Sequence, residues 1–393
     1  MRITQIETLC LSRPHEPENQ WATAAYRTVK ADCAIVVIHT DAGLTGIGEA
    51  CAYGVPPVIR AWVDWLARGL IGRDPTDPTL APQPNGRVPA TGEAPPMPSH
   101  DCAAAALDTA LWDLRGQISG QTVRALLGHA SPPRKRLRLY ASSGCRYAWN
   151  ERPEQLIEET LGYLAQGYTA CKVRIGTDWA WDGVPTGRFL ELMRALHAAV
   201  AGRMDLMLDG NKRLSIAQSF EIARELDRLG FAWFEEPFPL SEIEAYAELA
   251  AAVELPITGG EQLTTLEEFR PYLEQHALDI VQPDVGCCGL SEGLRIARMA
   301  EAYGVELCPH NWHQGLMTMA NAQLVAVIPN TRMLELCMIQ GPLQWSILAQ
   351  PPAIRDGYLE LPGGAGLGVA LAEDLQARFP YIEGSYAEPV ERP

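Results

Sequence analysis

Through the first 55 residues apolar and polar positions alternate, as in AIVVIHT, and the turn DAGLTG separates that run from IGEA. A period of two predicts strands, here an antiparallel hairpin with Asp41 to Gly43 in its turn. Residues 101 to 129 (DCAAAALDTALWDLRGQISGQTVRALLGH) have helical spacing, with Asp101 as N-cap and Gly120 and Gly128 as stops. Residues 75 to 98 between them hold eight prolines and few apolar anchors, which predicts a loop.

From about residue 136 the pattern changes. Short apolar runs end in a polar residue and precede amphipathic segments such as SIAQSFEIARELDRLG (215–230) and LSEGLRIARMAEAYG (290–304). The runs are LRLYASSG, TACKVRIG, DLMLDGN, FAWFEEP, LPITGGE, DIVQPD, VELCPH and MLELC. From the second run on, their polar ends fall at Lys172, Asp209, Glu235, Glu261, Asp284, His310 and Glu335, at spacings of 37, 26, 26, 23, 26 and 25 residues. Eight strands alternating with helices predict a (β/α)8 barrel whose strand ends converge on one mouth.

Length and composition bound what that mouth serves. A chain of 393 residues is two domains or one barrel with an addition, and 47% apolar with 20% charged residues suits a soluble globular protein. No segment is apolar for long enough to cross a bilayer, and no charged start with an apolar h-region opens the chain. A net charge of -16 disfavours nucleic acid and anionic membrane as partners. Ten cysteines without a CxxC pair fit reduced, mostly buried thiols and a cytoplasmic location.

Asp209, Glu235 and Glu261 end three successive predicted strands. Three converging carboxylates repel one another unless a cation neutralises them, and all-oxygen ligation with room for water suits Mg²⁺ better than Zn²⁺. Asn211, two residues past Asp209, is placed to support that metal or to face a ligand. Asp284 and His310 end the next two strands; a carboxylate beside an imidazole fixes its tautomer and raises its basicity, which makes a general base. His313, in HNWH, reads as a loop or supporting residue, and Trp312 as a pocket wall or a packing residue. Glu335 either carries a proton or stays ionised against Lys172; the sequence leaves both open.

The ordered set K-x-R, D-x-N, E-E-P, G-E, P-D and P-H resembles the enolase superfamily, in particular its mandelate racemase subgroup, across nearly the whole chain. GLTGIGEA, the helix pair and the late segment DGYLELPGGAGLGVAL share the similarity. The resemblance implies an α/β fold: an N-terminal α+β capping domain (1–135), a modified (β/α)7β TIM-like barrel (136–360) and a C-terminal tail (361–393) packing on the cap. It also implies that Asp209, Glu235 and Glu261 bind Mg²⁺, that the metal holds a substrate carboxylate, and that a base removes the α-proton to give an enediolate. His310 with Asp284 matches the subgroup's dyad and Glu335 its acid on the eighth strand. By the same resemblance Trp21, Tyr26 and Tyr53 fall in the two cap loops that usually close over the substrate, and read either as pocket residues or as packing aromatics. A small-molecule acid substrate and a homo-oligomer follow from the same resemblance.

Two departures matter. The segment PDVGCCGLSEG is one residue shorter than the usual double-glycine loop, with Cys287 and Cys288 read as inert. Members that work from both faces show Lys-x-Lys, whereas the second position here is Arg174. Residues i and i+2 of a strand share a face, so Lys172 and Arg174 both point inward. Arginine is a poor base and a good fork for oxygens, and Mg²⁺ and Arg174 are expected to lower the pKa of Lys172. Racemisation needs competent groups on both faces of the α-carbon, whereas dehydration can run with one dyad acting first as base and then as acid, so Arg174 favours dehydration. The resemblance, whose dehydratases usually take polyhydroxylated sugar acids, then implies an acid-sugar dehydratase giving a 2-keto-3-deoxy acid. The alternatives are an epimerase or racemase using Lys172, a sugar-lactone cycloisomerase, and a non-catalytic sugar-acid binder.

Overall fold

A computed structural model describes residues 1–22, 26–82, 84, 99–128, 132–175, 186–339, 341 and 343–389. The chain opens with β1 (Ile3–Pro14), β2 (Tyr26–Thr28), β3 (Lys30–Thr40), β4 (Thr45–Ala50), α1 (Pro56–Ala67), α2 (Ser99–Ser119) and α3 (Val123–Leu127). β1, β3 and β4 form an antiparallel sheet, with the predicted turn between β3 and β4. The alanine-rich α2 lies directly on β4. A Cβ at Gly46 or Gly48 would sit 2.2 or 2.1 Å from the carbonyl oxygens of Ala110 and Ala106, so TGIGEA carries its glycines for close approach.

The placing of Asp101 needs correction, because α2 starts upstream at Ser99 and Asp101 lies inside its first turn. Its carboxylate instead meets His100 Nδ1 at 2.8 Å and accepts from Thr264 Oγ1 of the barrel at 2.7 Å. Gly120 and Gly128 end their helices in the left-handed conformation, as predicted. Most of the expected proline-rich loop, residues 83 and 85–98, lies outside the described residues.

Eight short parallel strands follow: β5 (Arg136–Ser142), β6 (Ala170–Arg174), β7 (Asp205–Asp209), β8 (Trp233–Glu235), β9 (Ile257–Gly259), β10 (Ile280–Val281), β11 (Glu306–Leu307) and β12 (Leu334–Cys337). β5 to β11 pair in chain order and β12 pairs back to β5. Seven helices alternate with them: α4 (Gln155–Ala165), α5 (Thr186–Val200), α6 (Ile216–Leu229), α7 (Ile243–Ala252), α8 (Leu266–Glu274), α9 (Val285–Ala302) and α10 (Gly315–Val325). Among the described residues no barrel helix follows β12. The chain instead makes the hairpin β13 (Ile354–Arg355) and β14 (Tyr358–Glu360), and β14 runs antiparallel to β5. The eight complete units suggested by periodicity are therefore seven and a strand, because that period counts apolar runs and Pro351 and Pro352 interrupt the segment after the last one.

Local chemistry sets these boundaries. α6 starts at a capping box in which Ser215 and Gln218 satisfy each other's backbone donors, and ends at left-handed Gly230. α9 is broken at Gly289 (φ 81), so Val285–Cys288 form a separate turn before the predicted 290–304 segment. Tyr140, Met207, Trp233, Ile280, Cys308 and Met333 close the barrel interior beneath the mouth. Beyond Glu360 the chain returns to the cap. Leu367 N donates to Asp113 Oδ1 of α2 at 2.7 Å, α11 (Leu375–Arg378) packs near β1, and β15 (Ala387–Pro389) pairs with β2. Among the described residues no helix is long and apolar enough to cross a membrane.

Candidate active site

Strand register brings the predicted polar ends together. Arg174 pairs with Asp209 across β6 and β7, and Asp209 with Glu235 across β7 and β8. On this arc every carboxylate has a cation. Arg174 Nε donates to Asp209 Oδ2 at 2.9 Å, and its guanidinium lies 5.1 Å from the Trp312 ring. Lys172 Nζ stands between Glu235 Oε1 (2.5 Å) and Glu335 Oε1 (3.0 Å). Glu261 meets Lys212 Nζ at 3.2 Å and His310 Nε2 at 3.4 Å. Glu235 is further fixed by Gln282 Nε2 (2.7 Å) and Trp233 Nε1 (3.3 Å).

These contacts decide protonation states the sequence left open. Burial favours neutral Lys172, but Glu235, Glu335 and Asp209 outweigh it and raise the ammonium well above its ordinary value. Arg174 does not supply the expected lowering of Lys172, whose nearest neighbours are the carboxylates of Glu235 and Glu335. Burial would raise Glu335, yet Lys172 and His310 hold it below the ordinary value, so it is ionised against Lys172. One ammonium cannot neutralise two carboxylates. Glu235, buried and facing Asp209, Glu335 and Glu261, is accordingly pushed up to about 7.

That surplus negative charge on oxygen donors from three adjacent strands is what a hard divalent cation would relieve, so the residues present fit Mg²⁺. The carboxylates are nevertheless each drawn to a separate cation. Among the described residues the two donor groups whose ligand atoms all lie within 4.8 Å are Asp284 with His310 and His313, and Cys51 with Cys102 and Cys287.

On the opposite arc, Asp284 caps α9 through Gly286 N (2.8 Å to Oδ1) and offers Oδ2 to two imidazoles. His310 Nδ1 lies 2.6 Å and His313 Nε2 2.7 Å from that oxygen. Burial opposes charging His310, but Glu261 and Asp284 win and push it up to about 10. Asp284 is held far below the carboxylate range by the same two rings, against its burial. Sequence reading missed the partnership of His313, and also Lys212 and Glu236. The latter two form an ion pair at 2.8 Å, and Glu236 accepts from Gly260 N at 2.9 Å. Positive φ at Asn211, Lys212 and Glu236 turns these segments back over the mouth, and no periodicity signals that. For Asn211 the contact made is through its backbone N–H, 2.7 Å from Asp209 Oδ1.

The cap supplies the roof. Trp21 meets Trp312 edge-on at 5.8 Å and Tyr26 at 6.1 Å, and Tyr53 lies 5.1 Å from the His313 ring with its hydroxyl 3.4 Å from Trp312 O. Glu49, at the end of β4, accepts from Gln314 N and Met317 N at the start of α10, which docks cap on barrel. A cavity of about 470 Å³, within the size range of small-ligand sites, is walled by Glu261, Asp284, His310, His313, Thr264, Tyr53, Cys51 and Cys287.

Comparison with known proteins agrees with this architecture. Residues 6–128 match the mandelate racemase / muconate lactonizing enzyme N-terminal domain, and residues 155–375 the enolase C-terminal domain-like family. The chain belongs to the mandelate racemase / muconate lactonizing enzyme family of the enolase superfamily. Among its relatives, a D-galactarolactone cycloisomerase of Agrobacterium fabrum is 29% identical over 96% of this chain and 99% of its own. A D-galactonate dehydratase of Ralstonia nicotianae is 32% identical over 86% and 88%. The crystal structure of an enolase superfamily member from Polaromonas sp. JS666 superposes with a TM-score of 0.85 at 30% identity, over 98% of this chain and 99% of that one.

Proposed function

We propose that the protein is a Mg²⁺-dependent dehydratase of a sugar acid, a lyase that removes the proton α to a carboxylate and eliminates the β-hydroxyl to leave a 2-keto-3-deoxy acid. The observation that carries this reading is the asymmetry of the mouth. His310 is held by Asp284 through Nδ1 with Nε2 turned to the carboxylate arc, while Lys172 and Arg174 are ion-paired to Glu235, Glu335 and Asp209. Relatives named as D-galactonate, arabinonate and D-gluconate dehydratases support the substrate class.

In this reading Asp209, Glu235 and Glu261 hold Mg²⁺, which when bound supplies a Lewis acid against the charge developing on the substrate carboxylate. His310 acts as the base in its neutral form: Glu261 is the carboxylate that most favours the imidazolium, and once it is committed to Mg²⁺ that hold would be relieved, so Nε2 would take the α-proton while Nδ1 stays on Asp284. The same imidazolium then returns that proton to the departing hydroxyl. Lys172, kept cationic, meets oxygen charge on the opposite side, with Glu335 fixing its position. Arg174 stacks against Trp312 and orients substrate oxygen, while Trp21, Tyr26, Tyr53, Trp312 and Asn211 wall the substrate and exclude water.

A second reading is favoured by the full-length likeness to a D-galactarolactone cycloisomerase: the same dyad would drive elimination at a lactone C–O bond. A library of acid sugars and their lactones, assayed with Mg²⁺ for keto-acid product beside His310→Asn, separates the two. An open acid converted faster than its lactone supports dehydration; a lactone consumed faster, giving no product from the open acid, supports cycloisomerisation. Full activity in His310→Asn would remove the proposed base.

A further inference from the structure

Three cysteines from three distant segments meet at the seam between cap and barrel. Cys51 follows β4, Cys102 lies in the first turn of α2, and Cys287 lies in the turn after Asp284. Their Sγ atoms all lie within 4.8 Å of one another. The backbone holds them there: Cys51 N donates to Gly286 O at 3.1 Å across the seam, and Cys287 N to Asp284 O at 2.8 Å. Met317 packs so closely on Gly286 that a Cβ there would sit 2.0 Å from its sulfur, which pins the barrel side of the contact.

Cys102 and Cys287 are buried and Cys51 is half-buried. Cys51 and Cys287 both reach the wall of the cavity that holds His310, so the cluster has one open side and an entry path. Three thiolates are a soft donor set that selects Zn²⁺ or Cu⁺ over Mg²⁺. At a Zn–S length of about 2.3 Å, the sulfurs of one tetrahedral ion stand about 3.8 Å apart, so the three side chains need little movement to close on it. Three protein ligands with the fourth position facing a cavity is the open form of a zinc site.

We propose that Cys51, Cys102 and Cys287 form a second metal site, independent of the Mg²⁺ carboxylates, that takes one thiophilic ion such as Zn²⁺ and ties the capping domain to the barrel beside the substrate cavity. The site does not depend on which reaction the barrel catalyses.

Cd²⁺ titrated into the full chain tests it, with the protein reduced by a phosphine, stripped of metal and supplied with excess Mg²⁺. The expected result is an ultraviolet thiolate-to-cadmium charge-transfer band that saturates at one equivalent per chain, is displaced by Zn²⁺, and is lost in Cys102→Ser and in Cys287→Ser but kept in Cys10→Ser. The band reports sulfur ligation alone, so an ion at Asp209, Glu235 or Glu261 does not produce it. A measurement on the unmodified chain covers failure of the variants to fold: Zn²⁺ at ten times its Kd should slow iodoacetamide alkylation of Cys51 about tenfold by mass action. No saturating band, a band that survives both serine variants, or Cys51 alkylation unchanged by Zn²⁺ would overturn the proposal. So would a chain that takes up no Cd²⁺ but closes a Cys51–Cys287 disulfide with hydrogen peroxide, since that marks a redox pair.

Discussion

The two arcs of the barrel mouth use their charged groups differently. On β6 to β9 each cation is matched: Arg174 to Asp209, Lys172 to Glu235 and Glu335, Lys212 to Glu236 and Glu261. On β10 and β11 one carboxylate, Asp284, serves two imidazoles, and His310 keeps Nε2 turned inward. A charge locked between opposite charges is good at holding an anion and poor at exchanging a proton. A ring anchored by one nitrogen is suited to exchange at the other.

The comparison breaks most sharply at His310. His310→Asn is expected to lower kcat about 10³-fold and to stop exchange of the substrate α-proton with solvent deuterium. Exchange that survived in His310→Asn but vanished in Lys172→Met would reverse the roles of the arcs.

Lys172→Met tests the locked arc through stability, because it leaves Glu235 and Glu335 buried without their shared ammonium. Urea unfolding of the metal-free variant should show a loss of about 3–5 kcal/mol. An unchanged midpoint would mean the pair contributes no net stabilisation.

Glu235 gives the pH dependence. Its folded pKa, about 7, lies above the ordinary 4.5 because burial, helped by the carboxylates of Asp209, Glu335 and Glu261, outweighs the opposing pull of Lys172. Its contribution to stability is therefore complete below pH 4.5 and lost as pH rises through about 7. Metal-free protein should lose stability over that window by up to about 1.4 kcal/mol per pH unit, and Mg²⁺ should protect more at about pH 8 than at about pH 6. Thermal melts with EDTA or Mg²⁺ across pH check this; equal Mg²⁺ protection at both would place the ion elsewhere.

His313→Asn should have the smallest effect, less than about tenfold in kcat, since it removes one hydrogen bond from Asp284 and leaves the His310 contact in place. A loss as large as that of His310→Asn would make the pair of rings one unit.

The order of the polar residues at the barrel mouth was legible in the sequence because a strand that ends in a polar residue and repeats about every 25 positions fixes both side-chain direction and place around the barrel. Lys172, Asp209, Glu235, Glu261, Asp284, His310 and Glu335 were all found that way. The missing eighth helix was less legible, since a final apolar run looks the same whether or not a helix follows. Lys212 and Glu236 were illegible because their place depends on left-handed backbone, which periodicity does not encode.

The sequence by itself determined the family, the strand order and which residue types stand at the mouth, for these depend on local alternation and spacing along the chain. Only the tertiary structure decided that Lys172 stands between Glu235 and Glu335, that His313 shares Asp284, and that Cys51, Cys102 and Cys287 meet. Each of these depends on which groups face one another in a low-dielectric interior, and for the thiols on segments as much as 236 residues apart being folded against each other.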